Sequence, residues 1–269
     1  MKNELISSAQ NPKVKLLLEL QQKSASRRRH GLFVVEGRRE VERCVAQGYE
    51  LDTVFCCPEI FGSEWQPLHG ERVILLSPSI YNKVAYRGGT EGIIAEVQTR
   101  QRQLADIPLS DKPLIVVLES VEKPGNLGAI LRSADAARAD AVIVCDPLTD
   151  LYNPNLMRAS TGAFFSVPCV ACSSEECIAW LRDHHISILT AQLQDSRLYY
   201  DTDMCQPTAI VMGTEATGLT DQWRQVADAH IRIPMLGIVD SLNVSVSAAI
   251  LLYEAVRQRQ IIINEYCKG

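Results

Sequence analysis

The chain has 269 residues, 46% hydrophobic and 22% charged, with 27 basic and 32 acidic side chains and a formal charge of −5. These are values of an ordinary globular chain of about two domains, and they exclude a disordered chain or a general polyanion-coating protein. No apolar run approaches the ~18 residues of a membrane-spanning helix, and the start MKNELISSAQNPKVK lacks the apolar core of a secretory signal, so a cytoplasmic location is expected.

From Asn11 to about Arg29, Val14, Leu17, Leu18 and Gln21 recur at three- and four-residue spacing and predict a helix, with Pro12 tolerated in its first turn. LFVVEG (32–37) reads as a strand, 38–48 as a helix closed by Gly48, and 51–57 as the next strand. A strand at 72–77, a short helix at 80–86 and a strand at 92–98 complete a small α/β unit ending near residue 99. The polar stretch 99–113 carries two prolines and no strong period, the signature of a linker. Beyond it, strands are expected at 114–119, 141–145, 166–170, 186–191, 209–213 and 231–235. Helices are expected at 127–138, 174–184 and 219–228, and a last one from about Leu242 to Gln260. Near-continuous apolar strands alternating with helices predict a parallel sheet covered on both faces. The division expected is 1–99, a linker at 100–112, and 113–269.

Nine cysteines, an odd count in a long chain, argue against a disulfide framework. Cys169, Cys172 and Cys177 come nearest to a metal spacing, but no second CxxC or HxxxH follows them, so reduced thiols packed as small hydrophobes and no metal are expected. Charge is uneven: residues 1–43 hold ten Lys/Arg against five Asp/Glu, leaving that segment at +5 and the remainder at −10. The run Arg27, Arg28 and Arg29, with Arg38 beyond it, fits either a solvated helix face or a phosphate-contacting surface.

Three loops at the expected carboxyl ends of strands stand out, because ligands of open α/β sheets bind there. The first is SVEKPGNLGAILRSADAAR after 114–119, with Arg132 six residues beyond Asn126; the second is GTEATGL after 209–213. The third is IPMLGIVDSLNVSVSAAILLYE, where SLN (241–243) opens the last helix. Singly, each has a structural explanation: a turn and helix start, glycines at positive φ, and helix caps. The absence of Gly-Lys-Ser/Thr excludes a Walker loop, and PGNLGA is not the GxGxxG of a dinucleotide fold.

The ordered set formed by Asn126 and Arg132, GTEATGL and the long third segment resembles the three signature motifs of the SpoU (TrmH-type) family of SPOUT 2′-O-ribose RNA methyltransferases. YNPNLMRASTGAFFSVP (152–168) is similar to the stretch those proteins carry between the first and second motifs, and SSAQNPKVKLLLEL…RRRHGLFVVEG resembles their N-terminal substrate-binding domain. The resemblance implies an α/β fold: a SPOUT-type parallel sheet with a C-terminal deep trefoil knot, plus a small N-terminal α/β RNA-binding domain like that of ribosomal-protein-type RNA binders. It implies S-adenosylmethionine as cofactor, met by Gly213, Thr214, Ile233, Met235 and Leu242, and catalysis by Arg132, Asn126, Glu215, Ser241 and Asn243. RNA contacts are expected from Arg27, Arg28, Arg29, Arg38 and Arg158, the RNA being ribosomal rather than transfer RNA, and the enzyme a homodimer through its catalytic half. Two alternatives stay open at this point: an inactive RNA-binding assembly factor, and an antibiotic-resistance rRNA methyltransferase.

Overall fold

Runs of aliphatic and β-branched residues form the central strands, and prolines set several of the helix starts between them. The structure, a computed structural model, describes residues 4–62, 72–86, 91–214 and 217–266, with side chains described as far as residue 260. Up to residue 100 the elements are β1 (Glu4–Ile6), α1 (Pro12–Gln22), α2 (Ser24–His30), β2 (Leu32–Glu36), α3 (Arg38–Ala46), β3 (Leu51–Cys56), α4 (Pro58–Phe61), β4 (Arg72–Leu76), α5 (Pro78–Val84) and β5 (Ile93–Gln98). Then come β6 (Leu114–Glu119), α6 (Pro124–Ala136), β7 (Ala141–Cys145), α7 (Pro154–Ser160), α8 (Ala163–Ser166), β8 (Cys169–Cys172), α9 (Ser174–Asp183) and β9 (Ser187–Ala191). The last elements are β10 (Arg197–Leu198), β11 (Thr208–Met212), α10 (Asp221–Val226), β12 (Ala229–Arg232) and α11 (Val244–Tyr266).

The chain folds as two compact units, residues 1–100 with 150–166, and residues 101–149 with 167–269. In the first, five strands pair in the order β1-β4-β3-β5-β2, with β5 antiparallel to both β2 and β3 and the remaining pairs parallel. Val14, Leu17 and Leu20 of α1 pack with Phe55, Ile74, Leu76 and Ile94 in its core. The single helix expected over 11–29 is broken: Lys23 takes extended angles (φ −117, ψ 114), so α2 starts afresh and stops at Gly31 in the left-handed region, φ 64. Residues 150–166 join this unit through α7, which packs on β2, and α8, which packs on α3. Tyr152 stacks on Phe33 at 4.5 Å between ring centroids.

Among the described residues of the second unit, seven strands pair in the order β10-β12-β9-β11-β6-β7-β8, all parallel. Ile115, Val117, Ile143 and Val211 bury one face against Cys177 and Leu181 of α9 and Trp223 of α10. The alternate residues Val116, Leu118, Val142, Val144 and Ile210 are equally buried, so both faces are covered. Two expected strands move. The one expected at 231–235 is β12, which ends at Arg232: Pro234 has no N–H for a ladder, and the chain leaves the sheet into a long loop. The one expected at 166–170 is displaced to Cys169–Cys172, its first residues being taken into α8 and a turn. The stretch read as a linker is also partly built in, with Ile107 buried in this unit's core and Leu104 and Leu109 packed against it.

Candidate active site

The carboxyl ends of β9, β11 and β12 open onto one cleft of about 370 Å³, within the usual range for small-molecule sites. Gly213, Thr214, Ile233, Met235, Ser241 and Leu242 all line it. The five residues expected to meet a cofactor are thus brought to a single cavity from two stretches about 20 residues apart. Its floor is shaped by a close backbone approach. A Cβ on Gly213 would overlap the Gly218 carbonyl and the Leu219 nitrogen, so the chain can double back here only because residue 213 lacks a side chain. Thr214 and Gly218 close the loop as an antiparallel bridge, with Gly218 N donating to Thr214 O at 3.1 Å. Thr214 Oγ1 accepts from Thr217 N at 3.0 Å. Glu215, at the tip, lies outside the described residues.

A smaller recess of about 130 Å³ adjoins the cleft, sharing Gly213, Thr214 and Val244 with it and adding Asn126 and Lys123. Here the first and third motifs meet. Asn243 Nδ2 donates to Asn126 Oδ1 at 3.2 Å, while Asn243 Oδ1 accepts from Ser245 N (3.0 Å) and Ser245 Oγ (2.6 Å). Asn243 is therefore both the cap of α11 and the partner of Asn126; the cap fixes the amide so that its donors face α6. Packing of α11 along α6 holds the pair. Ser241 is exposed on the cleft wall and donates to Asp240 Oδ1 at 3.2 Å.

Arg132 does not join this group. Six residues after Asn126, it lies about 9 Å along α6 and roughly 120° round from it. It is exposed, outside the residues lining the cleft, and has no hydrogen bond or ion pair among the described residues.

In the first unit, the arginines separate by burial. Arg27 is 3% exposed, pairs with Asp150 at 2.7 Å and donates to Leu20 O at 2.6 Å. The expectation that it contacts RNA is corrected: its Nε, Nη1 and Nη2 all meet partners inside the fold, where it ties 150–166 to the end of α1. Arg28 and Arg29 are exposed, as is Arg38, whose guanidinium lies 5.5 Å above the Phe61 ring. Arg158 lies over Tyr86 at 5.1 Å, beside a separate pocket of about 300 Å³ that both residues line.

Glu119 was not singled out by the sequence reading. Buried at the end of β6, it accepts from Thr220 N (2.9 Å) and Thr220 Oγ1 (2.7 Å), anchoring the chain as it leaves the Gly213–Gly218 loop. A charged residue closing an otherwise apolar strand, LIVVLE, is the signal that would have found it.

Residues 113–253 match the SpoU rRNA Methylase family, and residues 11–95 match an MRM3-like substrate binding domain. The 23S rRNA (uridine(2479)-2′-O)-methyltransferase of Streptomyces viridochromogenes is 33% identical over 87% of this chain and 85% of its own length. The 23S rRNA (guanosine-2′-O-)-methyltransferase RlmB of Salmonella typhi is 40% identical over 63% of this chain and 72% of its own. Among solved structures, the SpoU methyltransferase AviRb of Streptomyces viridochromogenes in complex with AdoMet superposes with a TM-score of 0.85 at 30% identity, covering 93% of this chain and 98% of that one.

Proposed function

The chain belongs to the SpoU rRNA methylase family, and from that premise we propose that it methylates a ribose 2′-hydroxyl of ribosomal RNA, using S-adenosylmethionine in the Gly213–Leu242 cleft. The observation that carries this reading is the junction of three motifs: Gly213, Thr214, Ile233 and Leu242 line one cavity, and Asn126, which lines the recess beside it, is hydrogen-bonded to Asn243. The cavity fits the cofactor. The Gly213–Thr214 backbone lines the cavity, and Ile233 and Leu242 supply apolar walls for an adenine whose edges main-chain groups can meet.

When bound, S-adenosylmethionine supplies a methyl group on a positively charged sulfonium. The protein's part is to hold the ribose hydroxyl in line and to stabilise the oxygen as its proton leaves. Asn126 and Asn243, which fix each other's amides, are suited to orient the ribose. Arg132 is suited to neutralise the developing alkoxide and the adjacent phosphate; a guanidinium with a pKa above ~12 does this better than it removes a proton.

A homodimer through the catalytic unit is part of the same proposal. Leu236 and Ile238 are fully exposed, and Val239, Val246 and Tyr253 expose about half their surface or more, an apolar set beside the cleft that a partner would cover. The exposed position of Arg132 on α6 fits a site completed by that partner. A trefoil knot at the C-terminal end is proposed too, supported by the course of α11 from the cleft along α6, ending with Arg259 bonded to the Lys112, Pro113, Met204 and Gln206 carbonyls. Exposed Arg28, Arg29 and Arg38 and the Arg158–Tyr86 stack are the proposed RNA contacts of the first unit, which is read as the substrate-binding domain, and a cytoplasmic location follows from the substrate.

Mapping 2′-O-methyl groups across the total RNA of a strain lacking the gene, with and without a complementing copy, tests the reading. One ribosomal position should lose its mark and regain it; an unchanged ribosomal map with a mark lost from transfer RNA would replace the substrate assigned here.

A further inference from the structure

Far across the second sheet from the cleft, three thiols that the sequence scatters over 33 positions converge. Cys145 ends β7 and Cys172 ends β8, and the two are register partners in adjacent parallel strands, so their side chains leave the same face. Cys177 lies in the first turn of α9, which a reciprocal capping box between Ser173 and Glu176 holds in place. All three sulfur atoms lie within 4.8 Å of one another. The spacing read from the sequence pointed instead to Cys169, which is buried and absent from this group.

We propose that Cys145, Cys172 and Cys177 form a binding site for a thiophilic d10 metal ion, zinc(II) or copper(I), that ties the edge strand β8 to β7 and α9. Sulfurs bound to one zinc at ~2.3 Å stand about 3.8 Å apart, so the three need draw together by no more than about 1 Å. Their surroundings are already ordered. Asp146 turns the chain at φ 47 directly after Cys145, its amide donates to Cys172 O at 2.9 Å, and its carboxylate accepts from Ser174 Oγ at 2.6 Å. Ser174 Oγ in turn accepts from Trp223 Nε1 at 3.0 Å. Cys145 and Cys177 are fully buried whereas Cys172 is half-buried, so the ion would enter past Cys172 and complete its shell there with water. Thiolate sulfur selects these soft ions over magnesium or calcium, which take oxygen ligands. Binding releases one proton from each thiol that is protonated beforehand and changes no oxidation state.

The test uses the full-length protein, purified reduced and anaerobically, with cobalt(II) and zinc(II) as probes and a copper(I)–chelator competition as a parallel arm. Wild type should show a thiolate-to-cobalt charge-transfer band that saturates at one ion per chain and is displaced by zinc or by copper(I), whichever binds tighter. Its melting temperature should rise with the bound ion. Cys172→Ser, the variant least able to disturb the core, should bind more than about tenfold more weakly and lose the rise, and Cys205→Ser should behave as wild type. Absence of the band with no thermal shift from either metal would overturn the proposal. So would a disulfide among the three cysteines in protein that had not been reduced, if no metal binds after reduction.

Discussion

At the scale of single residues, a side chain's place in the fold decides what its loss should do. Gly213→Ala should abolish cofactor binding, because the added methyl overlaps the Gly218 carbonyl and the loop floor must shift; calorimetric titration with S-adenosylmethionine checks it. Arg132→Ala should do the opposite: exposed on α6, it should melt and bind cofactor like wild type yet lose ~10²–10³ in methyl transfer. Arg132→Lys, which keeps charge but not the planar fork, should remain strongly impaired. Glu96 is a residue of a different kind. Buried in β5, with Oε1 lacking a hydrogen-bond partner among the described residues, it has its pKa pushed up to about 8, first by burial and then by Asp52. The native state therefore keeps, between pH 4.5 and 8, a proton that the unfolded chain has released, so stability falls as pH rises through that window. Denaturant melts should show a loss of several kcal/mol across it, at most about 5, and Glu96→Gln should flatten the profile; an unchanged profile in the variant would place the titration elsewhere.

At the scale of elements, α2 is where local charge and tertiary contact separate. Arg27→Ala should destabilise by about 3–5 kcal/mol, since it strands Asp150 and opens a buried site. The pair Arg28→Gln and Arg29→Gln should leave the melting temperature alone and lower the salt slope of RNA binding by about two. The sequence showed an arginine run but not which member faces inward, because Asp150 is 123 positions away from Arg27. The same distinction runs through the fold. Strands Leu114–Glu119 and Ala141–Cys145 were legible to the residue because both faces are buried and every position except the closing Glu119 is apolar. Elements of two to four residues, such as β1, α4 and β10, have no period to read, and their existence depends on neighbours supplied by the rest of the chain. In the site, the loops were found by their place at strand ends, whereas the Asn126–Asn243 contact, the Glu119 anchor and the thiol trio required the sheet order. Register, not spacing, exchanged Cys169 for Cys145.

At the scale of the whole molecule, the exposed apolar set Leu236, Ile238, Val239, Val246 and Tyr253 predicts a dimer. Light scattering at micromolar concentration should give twice the chain mass, and Ile238→Asp should shift the protein toward monomer and reduce methyl transfer with it. A monomeric wild type with full activity would remove the partner from the site. The two named relatives act on a uridine and on guanosine, so a shared catalytic unit accommodates different bases, which is what chemistry confined to the ribose requires. That chemistry is the central claim. It is tested most directly by offering the purified protein, with methyl-labelled S-adenosylmethionine, two versions of an rRNA fragment spanning the mapped nucleotide: one all-ribose, the other bearing a single 2′-deoxy substitution there. The all-ribose fragment should accept one methyl group and the substituted fragment none; equal labelling of the two would mean that the acceptor is not the 2′-hydroxyl.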